Sequence, residues 1–292
     1  MKIAAAAYPF DWFDDFSQYE AKIRHWVAAA DGADLMVFPE YGAMELASLG
    51  GRDVAGDLQL SLSEVARHAD RVAQLHCDLS REHDCVILAA SGPHFAAERP
   101  VNRAALYASG QLLGVQDKHV MTRFEREDWD VIGGEGLRLI DTPVGRVGIL
   151  ICYDSEFPLL GRVLAEAGVE ILLVPSCTDT VAGFHRVRIG AMARALEGQC
   201  LVVQAPTVGD CAWNPAIDEN HGRAAIYGPP DGFWPEDGIV AQGDMDQPGW
   251  VMAEVDIARV AQSRRDGAVL PFAHWPETTS ARIIQAHCVT EL

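Results

Sequence analysis

Positive charge is scarce in this sequence. Its 292 residues carry 23 lysines and arginines against 42 aspartates and glutamates, a formal net charge of −19. So acidic a surface repels phosphate backbones, which argues against a nucleic-acid partner, and it disfavours docking on anionic membranes. No stretch reaches the ~18 consecutive apolar residues of a membrane-spanning helix. The apolar run from Ile3 to Phe10 leads into Asp11, Asp14 and Asp15 instead of a cleavage site, so it is not expected to serve as a secretory signal. Seven cysteines (77, 85, 152, 177, 200, 211 and 288) are odd in number and form no CxxC pair. Free thiols in a reducing cytoplasm are the expectation. The ten histidines form no HExxH or comparable ligand cluster, so neither a metal nor another cofactor is expected. Low-complexity linkers and long internal repeats are also missing.

What is present is material for a core. Hydrophobic residues make up 49% of the chain and charged residues 22%, the balance of a globular protein. One domain over residues 1–265 is the expected organisation, with 266–292 as an irregular tail available to pack on a partner subunit. Lys2–Ala7 reads as a strand, and Ser17-Gln-Tyr-Glu20 has capping-box spacing before a helix with Tyr19, Ile23, Trp26 and Val27 on one face. Leu35–Phe38 is a continuous apolar run, as in a strand buried on both sides, and stops at Pro39-Glu40. Leu60 to Leu75 marks a second long helix before a strand at Cys85–Ala90. Hairpins are expected about Ser109-Gly110-Gln111 and Thr142–Gly145. Helix, strand, helix and strand follow at Phe157–Ala167, Ile171–Val174, Phe184–Gly198 and Leu201–Ala205, with further strands at Ala224–Tyr227, Ile239–Ala241 and Val251–Val255. Hairpins among strand–helix–strand units predict an α/β fold on a mixed sheet.

Three residues sit where such a sheet places reactive groups. Cys152 ends the apolar strand GRVGILIC and precedes a helix; a strand–turn–helix junction there exposes the thiol to backbone N–H groups that favour a thiolate or an oxyanion. A buried structural cysteine is the other reading. Glu40 follows LMVFP, at the strand end where ligands of α/β sheets bind, and is either a general base or a solvated loop residue. Lys118 follows a strand too, with Glu125 seven positions on, able to hold or tune the lysine if the loop turns back; otherwise both are surface charges.

Taken together, VFPEYG around Glu40, DKHVMTRFERE around Lys118 and GRVGILICYDSEFP around Cys152 resemble the nitrilase, or carbon–nitrogen hydrolase, superfamily. VPSCTD at 174–179 and RALEGQCLVV at 194–203 extend the resemblance, which runs from Ile3 to about Val255. Within the superfamily these segments are most similar to a bacterial Rim1-like branch. The resemblance implies a four-layer αββα sandwich, and a homodimer or larger homo-oligomer paired through helices near the nucleophile. It implies Cys152 as nucleophile, Glu40 as general base and Lys118 over the oxyanion together with the Tyr153 N–H. Glu125 would orient substrate or lysine.

The implied reaction is hydrolysis of a non-peptide C–N bond of a small amide through a thioester, giving ammonia or an amine and a carboxylic acid. A nitrile substrate is the alternative, since the same three residues serve both. An acyltransferase ranks lower, because its lipoprotein version carries membrane helices. A catalytically silent scaffold would be expected to lack one of the three residues. Cys177 and Asp179 match positions that line the substrate pocket, or else merely close the sheet. Trp213, beside Asn214-Pro215, is either a pocket wall or part of a turn. His185 and Arg186 either contact substrate or sit on a helix face, and Glu197 resembles a structural glutamate of the fold.

Overall fold

Strands buried on both faces and helices with one apolar face build two stacked sheets, seen here in a computed structural model that describes residues 1–281. The first half of the chain supplies β1 (Lys2–Pro9), β2 (Leu35–Val37), β3 (Val86–Leu88), β4 (Gly92–His94), β5 (Val101–Ala108) and β6 (Gln111–Asp117). Its helices are α1 (Phe16–Ala29), α2 (Arg52–Ala55), α3 (Leu58–Arg67) and α4 (Ala69–Glu82), and a short α5 (Arg123–Glu127) follows β6. The second half supplies β7 (Leu139–Thr142), β8 (Gly145–Ile149), β9 (Ile171–Ser176), β10 (Leu201–Val208), β11 (Ala225–Tyr227), β12 (Ile239–Gln242) and β13 (Gly249–Glu254). Helices α6 (Pro158–Glu166) and α7 (Val181–Gly198) lie among these strands, and α8 (Ala258–Asp266) and α9 (Pro271–His274) follow them.

In one sheet β1, β2 and β3 run parallel, β5 and β6 form an antiparallel hairpin beside β3, and β13 returns antiparallel to β1. In the other β8, β9 and β10 run parallel, flanked by antiparallel β7 on one side and β11 and β12 on the other. A two-residue parallel contact, Tyr8 with Thr207 and Pro9 with Val208, joins the halves. Alternate residues divide the core. Ile3, Ala5, Leu35, Val37, Leu88 and Leu106 share a cluster with Val147, Ile149 and Leu173 of the second sheet. Ala4, Ala6, Met36 and Ile87 face outward onto Ile23, Val27, Leu75 and Leu79 of α1 and α4. Leu164 of α6 and Val187, Ala191 and Ala195 of α7 cover the second sheet, completing the four-layer αββα order.

Local chemistry shifts some expected boundaries. The first helix is capped by Asp15, whose carboxylate accepts the Ser17 and Gln18 N–H groups at 2.8 and 3.2 Å, so Ser17 lies inside the helix and is not its cap. The expected long second helix is two helices. His68 leaves helical geometry, at φ −93° and ψ 1°, while its ring meets Glu64 at 3.0 Å. The first hairpin turns on Ser109 and Gly110 with φ of 51° and 78°, the left-handed pair that suits the twist of the strands. Beyond α8, Phe272 and Trp275 pack under the Arg162 guanidinium of the same chain. The rest of the expected tail, 282–292, lies outside the described residues.

Candidate active site

Strand polarity brings Glu40, Lys118 and Cys152 to one edge of the sandwich. β2 ends at Val37, and Phe38 and Pro39 carry the chain to Glu40; Tyr41 then turns sharply, at φ 53°, into a 3-10 helix at Gly42–Gly50. β6 ends at Asp117, immediately before Lys118. β8 ends at Ile149, and Cys152, at φ 49°, opens a short 3-10 helix, Cys152–Glu156, ahead of α6. A left-handed conformation costs a non-glycine residue ~1–2 kcal/mol, and here it lifts the thiol out of the line of the strand. The turn is held from below. Ser155 Oγ donates to the Cys152 carbonyl at 2.6 Å, and Arg194 Nη1 donates to the Ser155 carbonyl at 3.1 Å. Helix α7 approaches so closely that a Cβ on Gly190 would lie 2.7 Å from the Ser155 carbonyl oxygen.

The side chains meet in a buried cluster. Lys118 Nζ donates to Glu40 Oε1 at 2.8 Å and to Glu125 Oε2 at 2.7 Å, and all three residues are at least 98% buried. Glu40 Oε1 also accepts Asn102 Nδ2 at 3.0 Å, and Oε2 accepts the Cys177 N–H at 3.0 Å. Glu125 takes the Tyr41 hydroxyl at 2.7 Å and, in a capping box, the Thr122 N–H and hydroxyl at 2.8 Å each. The Cys152 thiol points at the Cys177 carbonyl, with 3.8 Å between sulfur and oxygen. Asp154, fully buried two residues on, accepts the N–H groups of His119 and Val120 at 3.0 and 2.8 Å.

One buried cation between two carboxylates sets the protonation pattern. Burial, followed by the repulsion of Glu125, pushes Glu40 up to about 7 despite the attraction of Lys118. Burial also works against Glu125, but Lys118, the Thr122 N–H and the Tyr41 hydroxyl outweigh it and hold Glu125 below the ordinary carboxylate value. Burial opposes the charge on Lys118; the carboxylates of Glu125 and Glu40 override it and keep the ammonium protonated. The Cys152 thiol is raised, first by burial and then by the Glu40 charge. Glu125 is therefore the fixed anion, Lys118 the fixed cation, and Glu40 the group that titrates near neutrality.

Above this cluster lies a cavity of about 560 Å³. Glu40, Lys118, Glu125, Cys152 and Tyr153 all line it. Cys177 and Asp179 line it as well, and so does Arg186, which also faces Glu156 at 3.5 Å. Trp213 is placed elsewhere. Its ring packs edge-on against Trp12, 5.3 Å between centroids, and its neighbours Pro215 and Ala216 form the cavity wall instead. His185 is exposed, and Glu197 pairs with Arg194 at 3.0 Å. Tyr41, Asn102 and Asp154 are site residues that the sequence patterns do not single out. Tyr41 and Asp154 are neighbours of Glu40 and Cys152, whereas nothing local marks Asn102, which arrives on a different hairpin strand.

The chain has relatives among known proteins. The sequence pattern of the carbon-nitrogen hydrolase family matches residues 2–265. The chain is 30% identical over 274 residues to a probable hydrolase, YhcX, of Bacillus subtilis, covering 92% of this chain and 52% of that protein. It is 30% identical over 203 residues to the deaminated glutathione amidase of Yersinia enterocolitica, covering 67% of this chain and 68% of that one. The chain thus spans about half the length of the first relative and two thirds of the second. Among solved structures, the carbon-nitrogen hydrolase of Helicobacter pylori G27 is similar with a TM-score of 0.74 at 17% identity, over 97% of this chain and 95% of that one. A glutamate-to-glutamine mutant of an amidase from Nesterenkonia sp. AN1, solved with the acetamide moiety of fluoroacetamide added covalently at its active-site cysteine, is similar with a TM-score of 0.65 at 19% identity, over 91% and 94% of the two chains. The chain belongs to the carbon-nitrogen hydrolase family.

Proposed function

We propose that this chain hydrolyses a non-peptide C–N bond of a small amide through a thioester on Cys152, releasing ammonia or an amine and a carboxylic acid. The observation that carries the reading is the contact of Glu40 with Lys118 beside the Cys152 thiol, in one cavity and from three separate strand ends. An ordinary thiol is only a few per cent ionised near pH 7, and burial raises this one further, so attack must be coupled to proton removal. Glu40 is suited to that transfer, because its own proton affinity is matched to neutral pH.

In the first step Cys152 Sγ bonds to the carbonyl carbon while its proton passes to Glu40, and the oxygen gains charge facing the Lys118 ammonium and the Tyr153 N–H. The C–N bond breaks as Glu40 returns the proton to the leaving nitrogen. Water then attacks the thioester, giving a proton to Glu40, and the C–S bond breaks to restore the thiol. A donor at such an oxyanion contributes about 3–4 kcal/mol, so Lys118→Met should lose most turnover.

The test is ammonia release from a panel of small amides and nitriles by the wild-type protein and Cys152→Ala. Release from amides that vanishes in the variant is expected. Release from nitriles alone would replace the amide reading with a nitrilase, and release that persists without Cys152 would overturn both.

A second part of the proposal is self-association. Helices α6 and α7 expose Leu159, Val163, Ile189 and Leu196, and this face adjoins the Cys152 turn, which packs against α7. We assign it to a second copy of the chain, with 1–265 as the hydrolase unit and the segment after it available to the same interface.

A further inference from the structure

Asn102 commits both its main chain and its side chain to the reactive cluster. Strand β5 is antiparallel to β3 and β6, so its beginning lies at the edge where β2, β3 and β6 end. There Asn102, fully buried, accepts the Lys118 N–H on its carbonyl at 2.8 Å and donates its side-chain amide to Glu40 Oε1 at 3.0 Å. Glu40 thereby receives three protein donors: the Lys118 ammonium and the Asn102 amide on one oxygen, and the Cys177 N–H on the other.

The arrangement has a cost for folding. The Asn102 Oδ1 atom is buried and has no hydrogen-bond partner among the described residues. The strand pair does not require this side chain to keep its register, because the neighbouring Arg103 grips Asp117 through two bonds of 2.6 and 2.9 Å across β5 and β6. A buried amide that leaves half its capacity unpaired, and gives the rest to one carboxylate, breaks a packing rule in the way functional sites do.

We propose that Asn102 is a positioning residue, whose amide holds Glu40 ionised and oriented to take the Cys152 proton. The proposal rests on Glu40 being the base. A hydrogen bond to the charged form of a carboxylate favours that form, so its removal makes Glu40 harder to ionise. An amide that merely fills space would change stability and leave the pH dependence of the thiol where it was.

The experiment follows the rate of acrylamide addition to Cys152 across the neutral pH range, read by mass spectrometry of the peptide that contains it. Acrylamide is chosen because it adds at the active-site cysteine of a glutamate-to-glutamine mutant of the similar Nesterenkonia amidase. The proteins are wild type, Asn102→Leu, Asn102→Ala and Glu40→Gln, each with its thermal unfolding curve. In Asn102→Leu and Asn102→Ala the acid limb of the rate should move up by about one pH unit, an approximately tenfold slowing below it. In Glu40→Gln the limb near neutrality should disappear, leaving the thiol's own rise at high pH. If both Asn102 variants keep the wild-type limb while Glu40→Gln loses it, the role given to Asn102 is wrong and the base reading stands. If Glu40→Gln keeps the limb, the base reading fails and takes the proposal with it. Failure of both Asn102 variants to fold would make the residue structural and overturn the proposal too.

Discussion

Asp154 and Val120 lie 34 positions apart and are joined by a 2.8 Å bond from the Val120 N–H to the Asp154 carboxylate. With the adjacent bond from the His119 N–H, it ties the turn carrying Cys152 to the loop leaving Lys118. The two reactive residues therefore share one mechanical support, although neither touches it.

Asp154→Asn tests that support with little change of volume. An asparagine oxygen can accept one of the two N–H groups, but its own NH2 then faces the other. The expected result is a loss of about 2 kcal/mol in stability and at least a tenfold fall in Cys152 reactivity toward acrylamide. An unaltered reactivity in a destabilised Asp154→Asn protein would show that the clamp serves folding alone.

Glu40 couples the site to pH in two ways. Its folded value near 7 exceeds the ordinary 4.5, so the folded state binds this proton more tightly than the unfolded chain. That contribution to stability is complete below the unfolded value and is lost as pH rises through about 7. Activity has the opposite sign, since the base must be free, and should fall as pH drops through the same value. Glu40→Gln, which cannot ionise, should therefore be inactive and should gain Tm relative to wild type as pH rises from 5.5 to 8.5. Parallel thermal scans of the two proteins across that interval check the sign.

Much of this fold is legible in the sequence because its elements are locally encoded. Apolar runs such as Leu35–Phe38 and Ile171–Val174 mark buried strands, and Ser109-Gly110 marks the hairpin turn. The cap of α1 misleads, because Ser17–Glu20 has the right spacing while Asp15, just before it, takes the Ser17 and Gln18 N–H groups with a charged acceptor. At the candidate site, Glu40, Lys118 and Cys152 stand at strand ends that pattern alone can find. Asn102 cannot be found that way. Its contact with Glu40 spans 62 positions and depends on which strand lies beside β6 and on the direction in which it runs. The same limit applies to Trp213, where a large aromatic near a turn suggests a pocket wall and is instead packed on Trp12.

The Gly190 contact makes a steric prediction. A methyl group at this position would lie 2.7 Å from the Ser155 carbonyl oxygen, so Gly190→Ala must push α7 or the Cys152 turn aside. Since Arg194 and the Cys152–Ser155 bond hold that turn, the displacement reaches Cys152. We expect a cost of about 1–3 kcal/mol and slower acrylamide addition at every pH, with the acid limb unmoved. A moved limb would mean that α7 acts on Glu40 rather than on the cysteine.

The exposed apolar face gives the last prediction. Leu159 and Val163 are one turn apart on α6, and Ile189 and Leu196 are two turns apart on α7, which packs against it. Their exposures of 73, 55, 64 and 43% leave four large side chains in water on one side of a strongly acidic protein. Being only partly exposed, each would gain roughly 0.7–2 kcal/mol on full burial, which in combination over two copies favours association against the repulsion of their net charges. The wild-type protein should therefore sediment as a dimer or larger assembly, more firmly at high salt, where that repulsion is screened. Ile189→Glu should shift it to monomer, since the new carboxylate would be buried in the contact without a partner. A wild-type monomer at every salt concentration would remove the second copy from this face.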